Sequence, residues 1–65
     1  MLEVNLTERE LEVLKLMIDG KTNSQIAQEI IVSINTAKAH VGNILTKMHV
    51  TDRVQAAVKA IQYDL

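Results

Sequence analysis

The segment from Ser33 to Leu45, SINTAKAHVGNIL, contains the residue types best suited to recognising another molecule. It has no Asp or Glu, although the whole chain has a net charge of −1. A lysine can donate to guanine O6 or N7, an asparagine can pair with adenine, and a small methyl group can contact the thymine methyl. A carboxylate on the same surface would repel DNA phosphates. The segment is therefore a candidate for DNA recognition.

If this segment is helical, its residues separate into two faces. An advance of about 100° per residue places four apolar residues in one stripe, with Leu45 at its edge; they are Ala37, Val41, Ile44 and Met48. The opposite face, called here the α3 outer face, comprises Asn35, Lys38, Ala39, Gly42, Thr46 and His49. A solvated helix surface often has this composition for solubility alone, so the face by itself supports both interpretations equally.

Two other features are compatible with a DNA surface without requiring one. A glycine inside a helix lowers its stability by about 1 kcal/mol relative to alanine. Close approach of a ligand to the backbone at Gly42 is one explanation for the glycine, and simple tolerance of the lower stability is the other. Lys21, Thr22 and Asn23 stand at a second predicted helix start, where free backbone N–H groups attract anions. Ordinary capping would require only Thr22.

Catalytic and metal chemistry find little support in the sequence. His40 and His49 are not at i, i+4 spacing, and the chain has no cysteine. Ser24 and Ser33 have no evident general base, and no glycine-rich loop is present to bind phosphate. Tyr63 is the only aromatic residue, which disfavours a single-strand reader that stacks bases on rings. We expect no enzyme, no metal site and no cofactor.

Capping residues predict four helices. Thr7 with Glu10 and Thr22 with Gln25 each have the spacing of a capping box, Ser33 is a suitable N-cap, and the fourth helix begins near Thr51 or Asp52. The predicted helices cover residues 7–19, 23–30, 34–48 and 52–63. A turn of about three residues joins the second helix to the third, which is typical of a helix-turn-helix. The sequence thus predicts one all-α, four-helix, bundle-like helix-turn-helix domain over residues 1–65.

The charge is distributed unevenly along the chain. Residues 1–29 contain six acidic and three basic residues, whereas residues 30–63 contain four basic residues and one acidic residue. Positive potential is therefore expected in the second half. The absence of cysteine, of a long apolar segment and of a leader-like start favours a cytoplasmic protein with no membrane contact.

The fourth predicted helix is apolar on two arcs. One arc is made of small residues, Ala56, Ala57 and Ala60, and the other of larger ones, Val54, Val58 and Ile61, with Leu65 in line. A terminal helix of a 65-residue domain can bury only one face, so the second suggests a two-fold dimer. The alternative is that the larger arc faces the core and the alanines face water.

Several motifs in this order resemble one known family closely. They are LTxRExEVL from Leu6, IA at residues 26–27, VS followed by TAKAHVGNIL at residues 36–45, and DRxQAA from Asp52. Over residues 6–61 the chain is similar to LuxR-type, also called GerE-type, helix-turn-helix domains, the output domains of NarL/FixJ-class response regulators. The resemblance implies a bacterial transcription regulator of a two-component system.

The resemblance also implies roles for individual residues. The third helix would enter the major groove, with base contacts from Lys38, Asn35, Ala39 and Gly42. Phosphate contacts would come from Lys21, Thr22, Asn23, Thr36 and Lys47. The dimer interface would comprise Val54, Val58 and Ile61. The implied partners are promoter DNA with inverted or direct repeat half-sites, a second copy of the chain on that DNA, and RNA polymerase as a further possible partner. Glu10 and Arg53 are expected to form an ion pair.

Some positions depart from the family pattern. Ser24 and Gly42 stand where basic or polar residues are common, Ala37 where valine is common, and His49 where glycine is frequent. Fewer cations mean fewer phosphate contacts, so weak DNA binding by the isolated monomer is expected. Two alternatives stay open: a module similar to region 4 of a sigma factor, against which the fourth apolar helix counts, and a helical protein-interaction domain without DNA binding.

Overall fold

Four helices follow one another in the computed structural model, which describes residues 5–62. They are α1 (Glu8–Ile18), α2 (Asn23–Ile30), α3 (Ile34–Met48) and α4 (Arg53–Gln62). Between residues 5 and 62 no strand occurs. The predicted all-α, four-helix class is confirmed, and the predicted helix starts lie within one residue of the observed ones. The predicted end of the fourth helix at residue 63 lies outside the described residues.

The N-terminal caps form as their spacing predicts. Thr7 Oγ1 accepts the Glu10 backbone N–H at 3.1 Å, while Glu10 Oε1 accepts the Thr7 N–H at 2.9 Å. Thr22 and Gln25 repeat this reciprocal pair at the start of α2, also at 3.1 and 2.9 Å. Ser33 caps α3 by accepting the backbone N–H three residues on. These bonds satisfy N–H groups that have no intrahelical acceptor, and so they define where each helix begins.

Three of the helices end in a left-handed residue, but only one of these residues is glycine. Gly20 has φ of 81°, whereas Ile31 and His49 each have φ of 57°. After Ile31 the chain closes with a hydrogen bond from the Val32 N–H to the Ala27 carbonyl at 3.0 Å, the bond expected of a Schellman motif. A β-branched residue is strained in this conformation. The turn between α2 and α3 therefore forms at a cost in backbone energy.

The core is aliphatic, and α3 packs against each of the other three helices. The predicted buried stripes of α2 and α3 are confirmed. In α1, Val13 is buried with Leu14 and Met17, whereas Leu11 and Ile18 are only partly buried. Helix α4 buries Ala56 and Ala60 of its small arc, whereas Ala57 is only partly buried. The buried hydrophobic residues are Val13, Leu14, Met17, Ile26, Ala27, Ile30, Ala37, Val41, Ile44, Met48, Ala56 and Ala60.

Candidate nucleic-acid interface

The α3 outer face is a continuous exposed surface. All six of its residues are exposed, and α3 contains no acidic residue. Lys38 makes no hydrogen bond or ion pair with another residue of the described chain. Gly42 has nothing within 4 Å of the position that a Cβ would occupy. The α3 outer face therefore presents a lysine, Lys38, with no partner among the described residues, and open space beside the helix backbone at Gly42.

Small polar groups surround the start of α3. The Ser33 hydroxyl donates to Thr36 Oγ1 at 3.0 Å, and Ser33 Oγ accepts the Thr36 backbone N–H at 3.1 Å. The Thr36 hydroxyl can still donate, because a hydroxyl carries one donor besides its acceptor lone pairs. Asn35 is exposed one residue earlier. This end of α3 can thus donate hydrogen bonds to an anionic ligand.

The start of α2 offers a second, smaller group of donors. Thr22 is exposed, while Lys21 and Asn23 are half-buried. The Asn23 Oδ1 atom is buried, and no described residue donates to it. The backbone N–H groups in the first turn of a helix have no intrahelical acceptor and carry partial positive charge. The structure places these three residues where the sequence indicated, at a helix N-terminus, but it partly covers two of them.

Lys47, one of the predicted phosphate contacts, forms an ion pair with another residue of the protein, Glu10. Its Nζ lies 2.7 Å from Glu10 Oε1, with 39% of the Lys47 side chain exposed. Glu10 itself is only 4% exposed. The ion pair joins the C-terminal turn of α3 to the first turn of α1. The expected pairing of Glu10 with Arg53 is wrong for this structure: the ion-pair partner of Glu10 is Lys47, and no described residue accepts a hydrogen bond from Arg53 Nε or Nη2.

The other two cations of the second half also lie against the protein. Lys59 Nζ donates to the Met48 backbone carbonyl at 2.8 Å, where a cation complements the negative end of the α3 dipole. Arg53 is half-buried, and no described residue accepts from its Nε or Nη2. Of the four basic residues between positions 30 and 62, Lys38 alone is exposed without such a contact. The local positive charge available to a ligand is therefore smaller than the sequence suggests.

The Lys47 ammonium, followed by the Thr7 backbone N–H, lowers the pKa of the Glu10 carboxyl below its ordinary value of 4.5, and burial opposes this shift. A carboxyl group with a lowered folded-state pKa stabilises the fold above its unfolded pKa. This contribution is lost as the pH falls through the lowered value. The ion pair is thus fully formed at neutral pH.

A separate apolar ridge runs along α4. Val54, Val58 and Ile61 are 73%, 49% and 69% exposed. This excludes the alternative in which the larger arc of α4 faces the core. Shallow grooves flank the ridge, one between α1 and α4 that includes Met17 and Ala57, and one on the opposite side of Val54 and Val58 that reaches residue 62. The ridge and its grooves are a candidate protein interface.

Sequence reasoning missed three features of the surface. It did not identify Lys47 as the partner of Glu10, nor Lys59 as the donor to the carbonyl of the last residue of α3. It also missed Ile31, which is 88% exposed in a left-handed conformation. The absence of glycine from the turn at residues 31–33 was the available signal for strain there. No helix within residues 5–62 has the length and apolar character needed to cross a membrane.

The chain is similar to bacterial regulatory proteins of known families. The family of bacterial regulatory proteins called the luxR family matches residues 4–60. The transcriptional regulatory protein LiaR of Bacillus subtilis is 54% identical over 56 residues, covering 86% of this chain and 26% of that protein. The response regulator protein VraR of Staphylococcus aureus is 48% identical over 60 residues, covering 92% of this chain and 29% of that protein.

The fold is also similar to that of a solved structure. The response regulator ChrA of a heme-sensing two-component system superposes with a TM-score of 0.88 at 31% identity, over 98% of this chain and 32% of that one. The chain therefore spans between a quarter and a third of the length of these relatives.

Proposed function

Because the chain belongs to the luxR family of bacterial regulatory proteins, we propose that it binds specific sequences of double-stranded DNA as the output domain of a two-component response regulator. In this function it regulates transcription in the bacterial cytoplasm. The observation that carries the proposal is the α3 outer face, which is exposed, free of carboxylates and lined by small residues. Such a face fits the major groove, which admits one α-helix and presents donors, acceptors and thymine methyls.

Base reading is assigned to four residues in the first three turns of α3. Lys38 donates to guanine O6 or N7, and Asn35 pairs with adenine. Ala39 offers a methyl group to thymine, and Gly42 lets the backbone approach the bases. Their position agrees with the general geometry of helix-turn-helix proteins, whose recognition helix contacts bases mainly near its N-terminus.

Phosphate contacts position the helix rather than select the sequence. Lys21, Thr22 and Asn23 at the start of α2, together with Thr36, supply donors for this purpose. The first helix of a helix-turn-helix crosses the DNA backbone, which suits the free N–H groups at the start of α2. With few unpaired cations, the isolated domain binds weakly, and its affinity depends little on salt.

Helix α4 is assigned to dimerisation on DNA. A ridge of branched apolar side chains between two shallow grooves can interlock with the same ridge on a second copy, as ridges-into-grooves packing requires. A two-fold dimer pairs such a patch with itself and positions two recognition helices on two half-sites. The DNA partner is accordingly a promoter with repeated half-sites, and contact with RNA polymerase there would couple binding to transcription.

Selection of the 65-residue chain on a random duplex pool, followed by sequencing, tests this function. Enrichment of an inverted or direct repeat is expected, and its half-site spacing reports the dimer geometry. A Lys38→Glu variant carried through the same selection is the matched control and is expected to enrich nothing. Failure of the unaltered chain to enrich any sequence at low salt would contradict specific DNA binding, and would favour a helical protein-interaction module.

A further inference from the structure

We propose that Glu10 is a positioning residue for DNA binding, which acts through Lys47 to hold the C-terminal end of α3. In this role Lys47 supports affinity through its contact with Glu10 and is not a phosphate ligand. The inference rests on the proposed DNA-binding function and deepens it. It assigns an intramolecular role to Lys47, whereas the family resemblance implies that Lys47 contacts phosphate.

The geometry around the Glu10 carboxylate supports a role for Lys47 in binding Glu10 rather than phosphate. Its Oε1 accepts two hydrogen bonds, from the Thr7 backbone N–H at 2.9 Å and from Lys47 Nζ at 2.7 Å. The residue is buried, so removal of the ammonium would leave a buried carboxylate with one partner fewer. Loss of the partner of a buried carboxylate is destabilising, although the exposure of Lys47 moderates the effect here. A phosphate that drew Lys47 away would have to compensate for this loss.

A second contact holds the same end of α3 from another helix. Lys59 of α4 donates to the carbonyl of Met48, the last residue of α3. The C-terminal turn of α3 is thus tied to α1 by Lys47 and to α4 by Lys59. The residues assigned to base reading lie in the earlier turns of the same helix. A small shift of the tied end would therefore misplace them, and binding sites tolerate only about 0.5 Å of such displacement.

Salt dependence of binding separates the two roles of Lys47. The selected duplex is titrated with the unaltered 65-residue chain, with Lys47→Met and with Lys38→Met, over a range of salt concentrations. Loss of a phosphate contact flattens the plot of log affinity against log salt by about 0.9 units. Lys38→Met shows how the slope responds to loss of an exposed α3 lysine that is assigned to a base contact and has no partner among the described residues. Lys47→Met is expected to weaken binding roughly threefold to tenfold while leaving the slope unchanged.

A double-variant cycle tests whether Lys47 acts through Glu10. Glu10→Gln is expected to weaken binding to a similar extent, although removal of a negative charge would by itself favour DNA. Glu10→Gln/Lys47→Met should then lose no more affinity than the more affected single variant. The folded fraction is measured by circular dichroism in the same buffers, and affinity is expressed per folded molecule. If Glu10→Gln does not fold, the slope for Lys47→Met still decides between the two roles.

Three results would overturn the inference. A slope flattened by Lys47→Met would make Lys47 a phosphate ligand. Additive losses in the double variant would make the effects of Glu10 and Lys47 independent. Unchanged affinity per folded molecule would reduce the ion pair to a purely stabilising contact. In each case the unaltered chain still binds DNA and the proposed function stands, whereas a chain that binds no duplex at low salt would remove both proposals together.

Discussion

The outer faces of α3 and α4 are both exposed on helices whose opposite faces are buried, yet they differ in chemistry. The face of α3 is polar or small, and such a surface costs little in water. The ridge of α4 presents Val54, Val58 and Ile61, and burial of such side chains on a partner is worth roughly 1.5–3 kcal/mol each. The exposed apolar ridge of α4 is therefore the stronger indication that a partner exists. The α3 outer face indicates more clearly which kind of partner binds there, because a surface without carboxylates suits an anion.

This comparison predicts that the two faces can be disabled separately. Damage to the α3 face should abolish DNA binding and leave self-association unchanged. Damage to the α4 ridge should abolish self-association and leave the reading of a single half-site unchanged.

The largest effect is expected from Lys38→Glu. It places a carboxylate on the α3 outer face and removes a cation that no described residue binds, so affinity for the selected duplex should fall about a hundredfold or more. Stability should change little. Titration of the duplex and thermal melting followed by circular dichroism measure the two properties. Lys15→Glu, the same charge reversal at an exposed site on α1, is the control, and equal losses in both variants would mean that only net charge matters.

A smaller effect on DNA binding is expected from Val58→Asp, at the centre of the α4 ridge. A charge in a self-paired apolar interface should prevent dimerisation, and loss of the second half-site contact should weaken binding to a two-site duplex by roughly ten- to a hundredfold. Binding to a duplex with one half-site should not change. Sedimentation analysis with both duplexes checks this prediction. Retained dimerisation would exclude the ridge as the interface.

Gly42→Ala should change stability and binding in opposite directions. Nothing in the described protein lies within 4 Å of the added Cβ, so the helix should gain about 1 kcal/mol. If the backbone approaches the bases closely, however, DNA affinity should fall, by several-fold. The control is Asn43→Ala at the neighbouring exposed position, which lies off the centre of the face. Unaltered affinity in Gly42→Ala would show that the α3 face does not lie so deep in the groove.

The smallest effect concerns Ile31, which belongs to neither face. Ile31→Gly should relieve the strain of a left-handed β-branched residue and stabilise the fold by about 1 kcal/mol, which raises the Tm of a domain this size by roughly 4–8 °C. Neither DNA affinity nor self-association should change. Ile31→Ala keeps a Cβ at the same φ and should gain less. A loss of DNA binding in Ile31→Gly would instead assign this side chain to the interface.

Much of the fold follows from short-range chemistry that can be read along the chain. Thr7, Thr22 and Ser33 each bond to the backbone three residues on, so the helix starts are determined by local spacing. The buried stripe of α3 follows from helical periodicity. The two arcs of α4 were visible in the same way, although only the structure decided between the alternatives for Val54 and Ile61, because the choice depends on which arc meets α1 and α3.

The residues that engage the lysines could not be predicted locally. Glu10 and Lys47 are separated by 37 positions, whereas Arg53 was the expected partner because Glu10 and Arg53 are oppositely charged positions of the family pattern. The packing of α1 against the C-terminal end of α3 brings Lys47 within reach. Likewise, the bond from Lys59 to the Met48 carbonyl depends on where α4 crosses α3. The excess of positive charge in the second half is therefore not equivalent to charge available for DNA.

Four helices, an α3 surface without carboxylates and an α4 with two apolar arcs can all be predicted from the sequence, because capping and periodicity act over three or four residues. Three outcomes could not be predicted in this way: which cations face solvent, which apolar arc of α4 remains exposed, and the left-handed conformation of Ile31. These outcomes depend on contacts between segments distant in the chain, or on turn geometry that the surrounding helices impose at a cost in strain. Local pattern thus specified the helices and their faces, and packing specified which of their side chains are available to a partner.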